Sequence, residues 1–449
     1  MIETMLRWLS CVVLAVTFHV NVVAAQDEAI LERRVREVGA LVSADPKWSD
    51  DLFDPAFLAA VPPAKLRELG RGIFQQCGRV TATSLVQRES ALAGKFEAVL
   101  EKGFAMPITI GLTASEPHSI VSLWFGAPAP SVGDWNAAAL EIAKLPGSVS
   151  LGIYRVKREG DASVLEKIVE HEPDRVLAIG SAFKLYVIGA LVREVEAERR
   201  KLEGTIALQK NWRSLPSGKL HAWPAGSPVT LHTLAALMIS ESDNTATDHL
   251  LFALGRERVE ALLAPMGNTN AARNEPFLST SEMFRLKLAS GGKLAAEYVE
   301  LTAAKRREFL AQRLPPLDGP EMAGASFTKP FEIERIEWFA SARELCRAMV
   351  WLRDSTESVA TRPLREVLAI NPGLDVSRDA FPFVGFKGGS EPGVLNLTYL
   401  LQAQSGDWYA LSCGWNDPAQ SVDEARLVGL VTRMLALLAK ETTSAGATK

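Results

Sequence analysis

The sequence predicts a two-domain α+β chain behind a cleavable leader, and three observations point there. Within residues 27–130 a helical apolar stripe gives way to a run of strands. Within residues 135–440 both ends alternate like strands while the middle is helical. The whole is 449 residues, 47% hydrophobic and 23% charged, which suits two or three globular domains and excludes disorder, collagen and coiled coil.

Residues 1–25 read as a signal peptide. The apolar run LSCVVLAVTFHV (9–20) follows Glu3 and Arg7, and Val23-Ala24-Ala25 supplies small residues for cleavage before Gln26. The run is short and is broken by His19 and Asn21, which argues against a membrane span. Cys11 has no apolar stretch ahead of it, which argues against a lipoprotein; an uncleaved anchor is the remaining alternative. The expectation is a periplasmic or secreted protein with no membrane contact after cleavage.

The first domain, 27–130, opens with a helix over 27–45 whose stripe is Ile30, Val35, Val38 and Leu41. A second helical region lies between Asp50 and Gly78. Strands RVTATSLV, KFEAVLE, AMPITIGLTA and SIVSLWFGAP follow, and a small curved antiparallel sheet against helices uses them all. Phe96, Ile108, Ile110, Leu123 and Phe125 read as its core. PAPSVGDW (128–135) is the expected linker. The second domain, 135–440, starts with a helix over 135–144 and strand VSLGIYRVK. It ends with strands VGFKGGS, VLNLTYLLQ and WYALSCGW and a helix near 421–440. One antiparallel sheet built from the two chain ends, flanked by helices and with a helical subdomain inserted, is the economical arrangement.

A net charge of −4 and a pI near 6.0 leave no basic field for nucleic acid. The six histidines form no HxxH or HExxH, and the four cysteines no CxxC, so neither a metal site nor any other cofactor is expected. Past the leader, Cys77, Cys346 and Cys413 are an odd set and read as buried thiols.

Three short motifs carry chemistry. Ser181 and Lys184 open SAFKLYVIGALV; three apart on a helix, they share a face, and the amine can reach the hydroxyl. The positive helix end and partial burial both disfavour the ammonium form, which makes Lys184 a candidate neutral base for a Ser181 nucleophile. A plain helix cap beside a snorkelling lysine is the other reading. Ser290–Lys293 and Ser326–Lys329 match the same spacing but sit beside Gly-Gly and Pro330, as solvated loops do. Ser242-Asp243-Asn244 interrupts two helical patterns, exposing Ser242 and Asn244 while Asp243 caps the next helix; a simple cap is the alternative. Finally, Lys387-Gly388-Gly389-Ser390 ends a strand at the turn EPG, where glycines permit close approach of a substrate; a hairpin with an exposed lysine is the alternative.

Ser-x-x-Lys, Ser-Asp-Asn and Lys-x-Gly in this order resemble the motif set of class A β-lactamases and penicillin-binding proteins. Residues 140–440 are similar to the class A β-lactamase domain of the penicillin-recognising serine hydrolases, PVTLHTLAALMISESDNTATDHLL especially so. With its first domain and KGGSEPGVLNLT, the whole chain resembles a subgroup, the β-lactamase-like proteins of clavulanic-acid clusters, whose N-terminal domain is steroid-isomerase-like (NTF2-like). The resemblance implies a small NTF2-like α+β domain followed by a β-lactamase/transpeptidase-like domain. It implies Ser181 as the acylated nucleophile, Lys184 as its base and Ser242 as a proton relay helped by the Lys387 charge. Asn244 would hold a substrate amide beside Gly389, and the Ser181 and Ser390 N–H groups would form the oxyanion hole. Within NEPFLST, Glu275 falls where the family keeps its deacylation base, with Ser279 replacing an Asn that helps hold the water; a solvated loop glutamate is the alternative.

There are departures from the family pattern. Gly388 stands where a hydroxyl is usual, and VLNLTYLLQ has no Arg to anchor a carboxylate, which leaves Ser390 for that task. The charged stretch 282–345 lengthens the path from Ser242 to Lys387. The implied function is hydrolysis of β-lactam amides through a Ser181 acyl-enzyme, the partner being a small-molecule acyl substrate, β-lactam or ester. An esterase or amidase on another substrate, or a homologue that binds without turnover, is the alternative.

Overall fold

The computed structural model describes residues 24–131, 133–316 and 328–446. Residues 1–23 of the expected signal peptide and Ser326 lie outside the described residues. The chain forms two compact units, one up to Gly133 with Ala425–Arg433, the other Asp134–Glu424 with the residues from Met434 onward.

In the first unit a helix Ala24–Gly39 buries Leu31, Val35 and Val38. It stops at Gly39, short of the expected residue 45. Leu41 and Val42 are still buried, but in a turn that runs under the helix Pro63–Cys77, where a Cβ on Gly70 would lie 2.3 Å from the Leu41 carbonyl oxygen. Asp54 caps the helix Pro55–Ala60 by accepting from the Ala56 N–H. Four antiparallel strands follow in sequence order, β1 (Val80–Ser90), β2 (Ala93–Leu100), β3 (Phe104–Leu112) and β4 (Ile120–Phe125). Period-two alternation puts Phe96, Ile108, Ile110, Leu123 and Phe125 in one core with Leu31 and Val35. Within the expected linker, β5 (Ala129–Pro130) pairs with β3 instead of running free.

The second unit carries a five-stranded antiparallel sheet from both its ends. Strands β6 (Ser148–Glu159) and β7 (Ala162–His171) come early. A short β8 (Leu177–Ala178) and a ribbon of β9 (Thr205–Ala207) and β10 (Pro228–Thr230) lie between, and β11 (Phe339–Ala340) pairs with β8. The late strands are β12 (Phe383–Glu391), β13 (Val394–Gln402) and β14 (Trp408–Asn416), and the sheet order is β12-β13-β14-β6-β7. Strand β12 is therefore an edge. Every residue of β13 except its last is buried, as a central strand requires. The closing helix runs Glu424–Gly446.

Between β8 and β11 lie the helices Lys184–Glu196, Leu231–Ser240, Asn244–Leu254, Arg256–Leu263 and Thr280–Leu288. Their core includes Phe183, Leu191, Met238, Leu250 and Phe277. The stretch expected to be charged and helical continues with Lys293–Val299 and Ala303–Gln312. Lys293 opens a helix rather than lying in a loop, and Ser290 adopts φ 54° just before it; no hydrogen bond joins the two. Cys77, Cys346 and Cys413 are free and buried. No helix among the described residues is long and apolar enough to cross a membrane.

Candidate active site

All the motif residues lie in the second unit. Gly180–Phe183 form a 3-10 turn that runs into the helix Lys184–Glu196, so Ser181 and Lys184 face each other one turn apart. Lys184 is fully buried. Its Nζ lies 2.7 Å from the Ser242 carbonyl oxygen and 2.7 Å from Asn244 Oδ1, two atoms that can only accept. Those bonds use both N–H groups of a neutral amine. The lone pair is then left for the hydroxyls of Ser181, at 3.2 Å, and Ser242, at 3.0 Å. Burial, aided by the Lys387 charge, drives the Lys184 pKa well below the ordinary lysine range, against the pull of Asp248 and Asp243. Geometry and electrostatics thus agree on a neutral amine able to take the Ser181 proton.

Ser242 sits at the bend between two helices with φ 53°, a strained value for a residue with a side chain. The bend is held by Asp243. Its carboxylate accepts from Ala246 N at 2.8 Å, capping the helix Asn244–Leu254, and from Lys219 N at 2.6 Å and Leu220 N at 2.9 Å. The Ser217 hydroxyl also donates to the Ser242 carbonyl at 2.7 Å. Asn244 is committed twice, to Lys184 and through Nδ2 to Leu215 O at 3.1 Å, which leaves one amide hydrogen for a substrate.

The third motif arrives on β12. Lys387 is buried, and its Nζ donates to Ser242 Oγ at 3.2 Å and to Gly388 O at 2.6 Å. Burial lowers its pKa to about 7. A Cβ on Gly389 would lie 2.1 Å from Ile179 O and 2.4 Å from Ser181 N. Likewise a Cβ on Gly180, at φ +47°, would lie 3.0 Å from Ser390 N. Two glycines therefore let β12 approach the Ser181 turn backbone to backbone, with Ser181 N close to Gly389 and Ser390 N close to Gly180. Ser390 itself is exposed.

The structure brings Ser181, Lys184, Ser242, Asn244, Lys387, Gly389 and Ser390 together. Glu275 is half-buried on the next loop and makes no hydrogen bond to Ser181 or Lys184. That loop nonetheless packs on the nucleophile turn. Phe183 meets Phe277 edge-on at 5.7 Å and stacks on Trp338 at 3.7 Å, and Trp338 Nε1 donates to Leu278 O at 3.0 Å. Ser279 caps the helix Thr280–Leu288 in a reciprocal box with Glu282, its hydroxyl oxygen accepting from the Glu282 N–H.

Other residues were missed in the sequence. Asp248 is buried and accepts from Thr280 N, Thr280 Oγ1 and Ser281 N at 2.7–2.9 Å, joining the Asn244 helix to the start of the helix Thr280–Leu288; burial raises its pKa to about 6. Phe386 fills the space beside Gly388, where a Cβ would lie 2.8 Å from its ring. Among the described residues no His, Cys, Asp and Glu cluster could hold a metal.

Gly389→Ala forces a methyl into backbone atoms, not flexible side-chain ends. We expect Ser181 acylation to fall at least about 100-fold, and stability by about 1–3 kcal/mol, as read by ester hydrolysis and melting. Wild-type acylation in this variant would contradict the close packing. With Lys184 as base and Lys387 as a fixed charge, hydrolysis should follow a bell-shaped pH profile, its acid limb rising as Lys184 becomes neutral and its alkaline limb falling above about 7 as Lys387 loses its charge. In Lys387→Arg the charge persists, so the alkaline limb of kcat/KM should move to higher pH; an unmoved limb would show that the Lys387 charge is not used.

Residues 141–312 match the model of the beta-lactamase enzyme family, a span that includes Ser181, Lys184, Ser242, Asn244 and Glu275. Among solved structures, the chain is similar to the beta-lactamase from Sphaerobacter thermophilus DSM 20745, with 21% identity over 69% of this chain and 97% of that one and a TM-score of 0.47. It is also similar to that from Francisella tularensis, with 13% identity over 69% and 99% and a TM-score of 0.47. A third is that from Desulfarculus baarsii DSM 2075, with 18% identity over 68% and 98% and a TM-score of 0.45. No curated protein matches the chain.

Proposed function

We propose that this protein is an active-site serine hydrolase that opens β-lactam amides through an acyl-enzyme on Ser181. The observation that carries the reading is the Lys184 amine, buried and bonded between Ser181 and Ser242. In the reaction, Ser181 Oγ attacks the carbonyl carbon as its proton passes to Lys184 Nζ. The oxyanion is held by the N–H groups of Ser181 and Ser390, each such donor being worth about 2.7–4 kcal/mol. The proton then moves from Lys184 through Ser242, beside the Lys387 charge, to the leaving nitrogen, and the C–N bond breaks. A water attacks the ester as Glu275 takes its proton, and Glu275 returns that proton to Ser181 Oγ as the bond from the acyl carbon to Ser181 Oγ breaks and the acid departs.

Esters and amides without a carboxylate are a second reading, favoured by one feature. Gly388 and the Phe386 ring replace the hydroxyl that would meet a β-lactam carboxylate, leaving Lys387 and Ser390 for that contact. One charge-assisted hydrogen bond fewer weakens binding by about 1.5–3 kcal/mol. On either reading the protein is exported behind residues 1–25, needs no cofactor and stays off the membrane. Its first unit is an NTF2-like module that packs or binds rather than catalyses.

Intact-mass spectrometry with a labelled penicillin and with p-nitrophenyl acetate tests the assignment. Wild type should gain one acyl group, and Ser181→Ala none; an adduct persisting on the variant would displace Ser181. Glu275→Gln should still acylate but turn over about 10²–10⁴ slower, the worth of a general base, so that a burst appears. Unchanged turnover without a burst would remove Glu275 from the mechanism.

A further inference from the structure

Just past Ser390 the structure buries a second charged cluster. Lys287 lies on the helix Thr280–Leu288, Glu337 just before β11, and Glu391 ends β12. The side chains of Lys287 and Glu337 are 0% exposed and that of Glu391 4%. Lys287 Nζ donates to Glu391 Oε1 at 2.6 Å and to Glu337 Oε1 at 3.4 Å. Glu337 Oε2 accepts from Trp338 N at 3.2 Å, and the Trp338 carbonyl accepts from Ile179 N at 3.0 Å, two residues before Ser181. The cluster therefore links the helix after the Glu275 loop, the segment beside the nucleophile turn and the end of the Ser390 strand.

Among the described residues two buried carboxylates face one ammonium, which leaves a buried negative charge that is costly. Glu391 Oε2 is buried and, among the described residues, has no donor to accept from. A proton on that oxygen removes the charge and gives it a partner, because Glu337 can accept. Among the described residues the charged groups facing Glu391 are Lys287 and Glu337; burial and the Glu337 charge raise the Glu391 pKa well above the ordinary range, while Lys287 opposes.

We propose that Glu391 is kept as a neutral acid whose Oε2–H donates to Glu337, so that Lys287, Glu337 and Glu391 form a one-proton clamp positioning the Ser390 N–H beside the Ser181 turn. The clamp's purpose rests on the hydrolase reading; its protonation does not. A proton held more tightly in the folded chain gives stability that is full at low pH. It is lost as pH rises from the ordinary carboxyl value toward the raised one.

Two measurements on the full chain test the proton. Melting of wild type and Glu391→Gln is followed from about pH 5 to about pH 9, and infrared spectra are compared near neutrality. The variant should gain on wild type as pH rises, and a protonated-carboxyl band in wild type should vanish from it. A pH-independent difference, or no such band, overturns the clamp whatever the enzyme hydrolyses. For positioning, Glu391→Leu should lower kcat for p-nitrophenyl acetate about tenfold or more with KM nearly unchanged, and Glu391→Gln should restore most of it. Equal kcat in wild type and Glu391→Leu overturns the positioning role. Loss of all hydrolysis by wild type would refute the hydrolase reading while leaving the proton test intact.

Discussion

A lysine amine buried among neutral acceptors is the constraint on which the rest of this site depends. Lys184 has no carboxylate in hydrogen-bond contact; its partners are two hydroxyls, one backbone carbonyl and one side-chain amide. An isolated buried ammonium is costly, and the cheaper state is the neutral amine. The protein thus stores a base next to a serine without a histidine. The two atoms that can only accept orient the amine, and both lie on the Ser242–Asn244 bend. That bend is strained at Ser242 and is held by three backbone N–H bonds to the Asp243 carboxylate.

The sheet supplies the second half of the site. Strand β12 reaches the nucleophile turn because the late strands pair with β6, so that residues far apart in sequence share one sheet. Contact between strand and turn is backbone to backbone at Gly389 and Gly180, and no side chain fits there. Lys387 enters from the same strand with a pKa near 7, so the two lysines hold opposite protonation states over part of the neutral range. One can take a proton while the other offers a charge.

Much of this was legible in the residues. The Ser181–Lys184 spacing follows from helix geometry, and Asp243 as a cap follows from a short acidic residue between two apolar periodicities. The sheet from two chain ends followed from β patterns flanking a helical middle. What was not legible is non-local. No periodicity signals that Asp248 receives Thr280 and Ser281, that Phe386 fills the place beside Gly388, or that Lys287, Glu337 and Glu391 meet. The Ser279 cap does have a local signal, a serine followed three residues later by Glu282. Helix ends shifted where a close approach intervened, as at Gly70 under Leu41.

The site turns on the protonation state of one nitrogen, and that state can be observed directly. With ¹⁵Nζ-labelled lysine and Lys184→Arg to assign the signal, NMR near neutral pH should show Lys184 as a neutral amine, titrating well below every exposed lysine. An ammonium signal for Lys184 at that pH would contradict the account, because the Ser181 proton would then have no base to receive it.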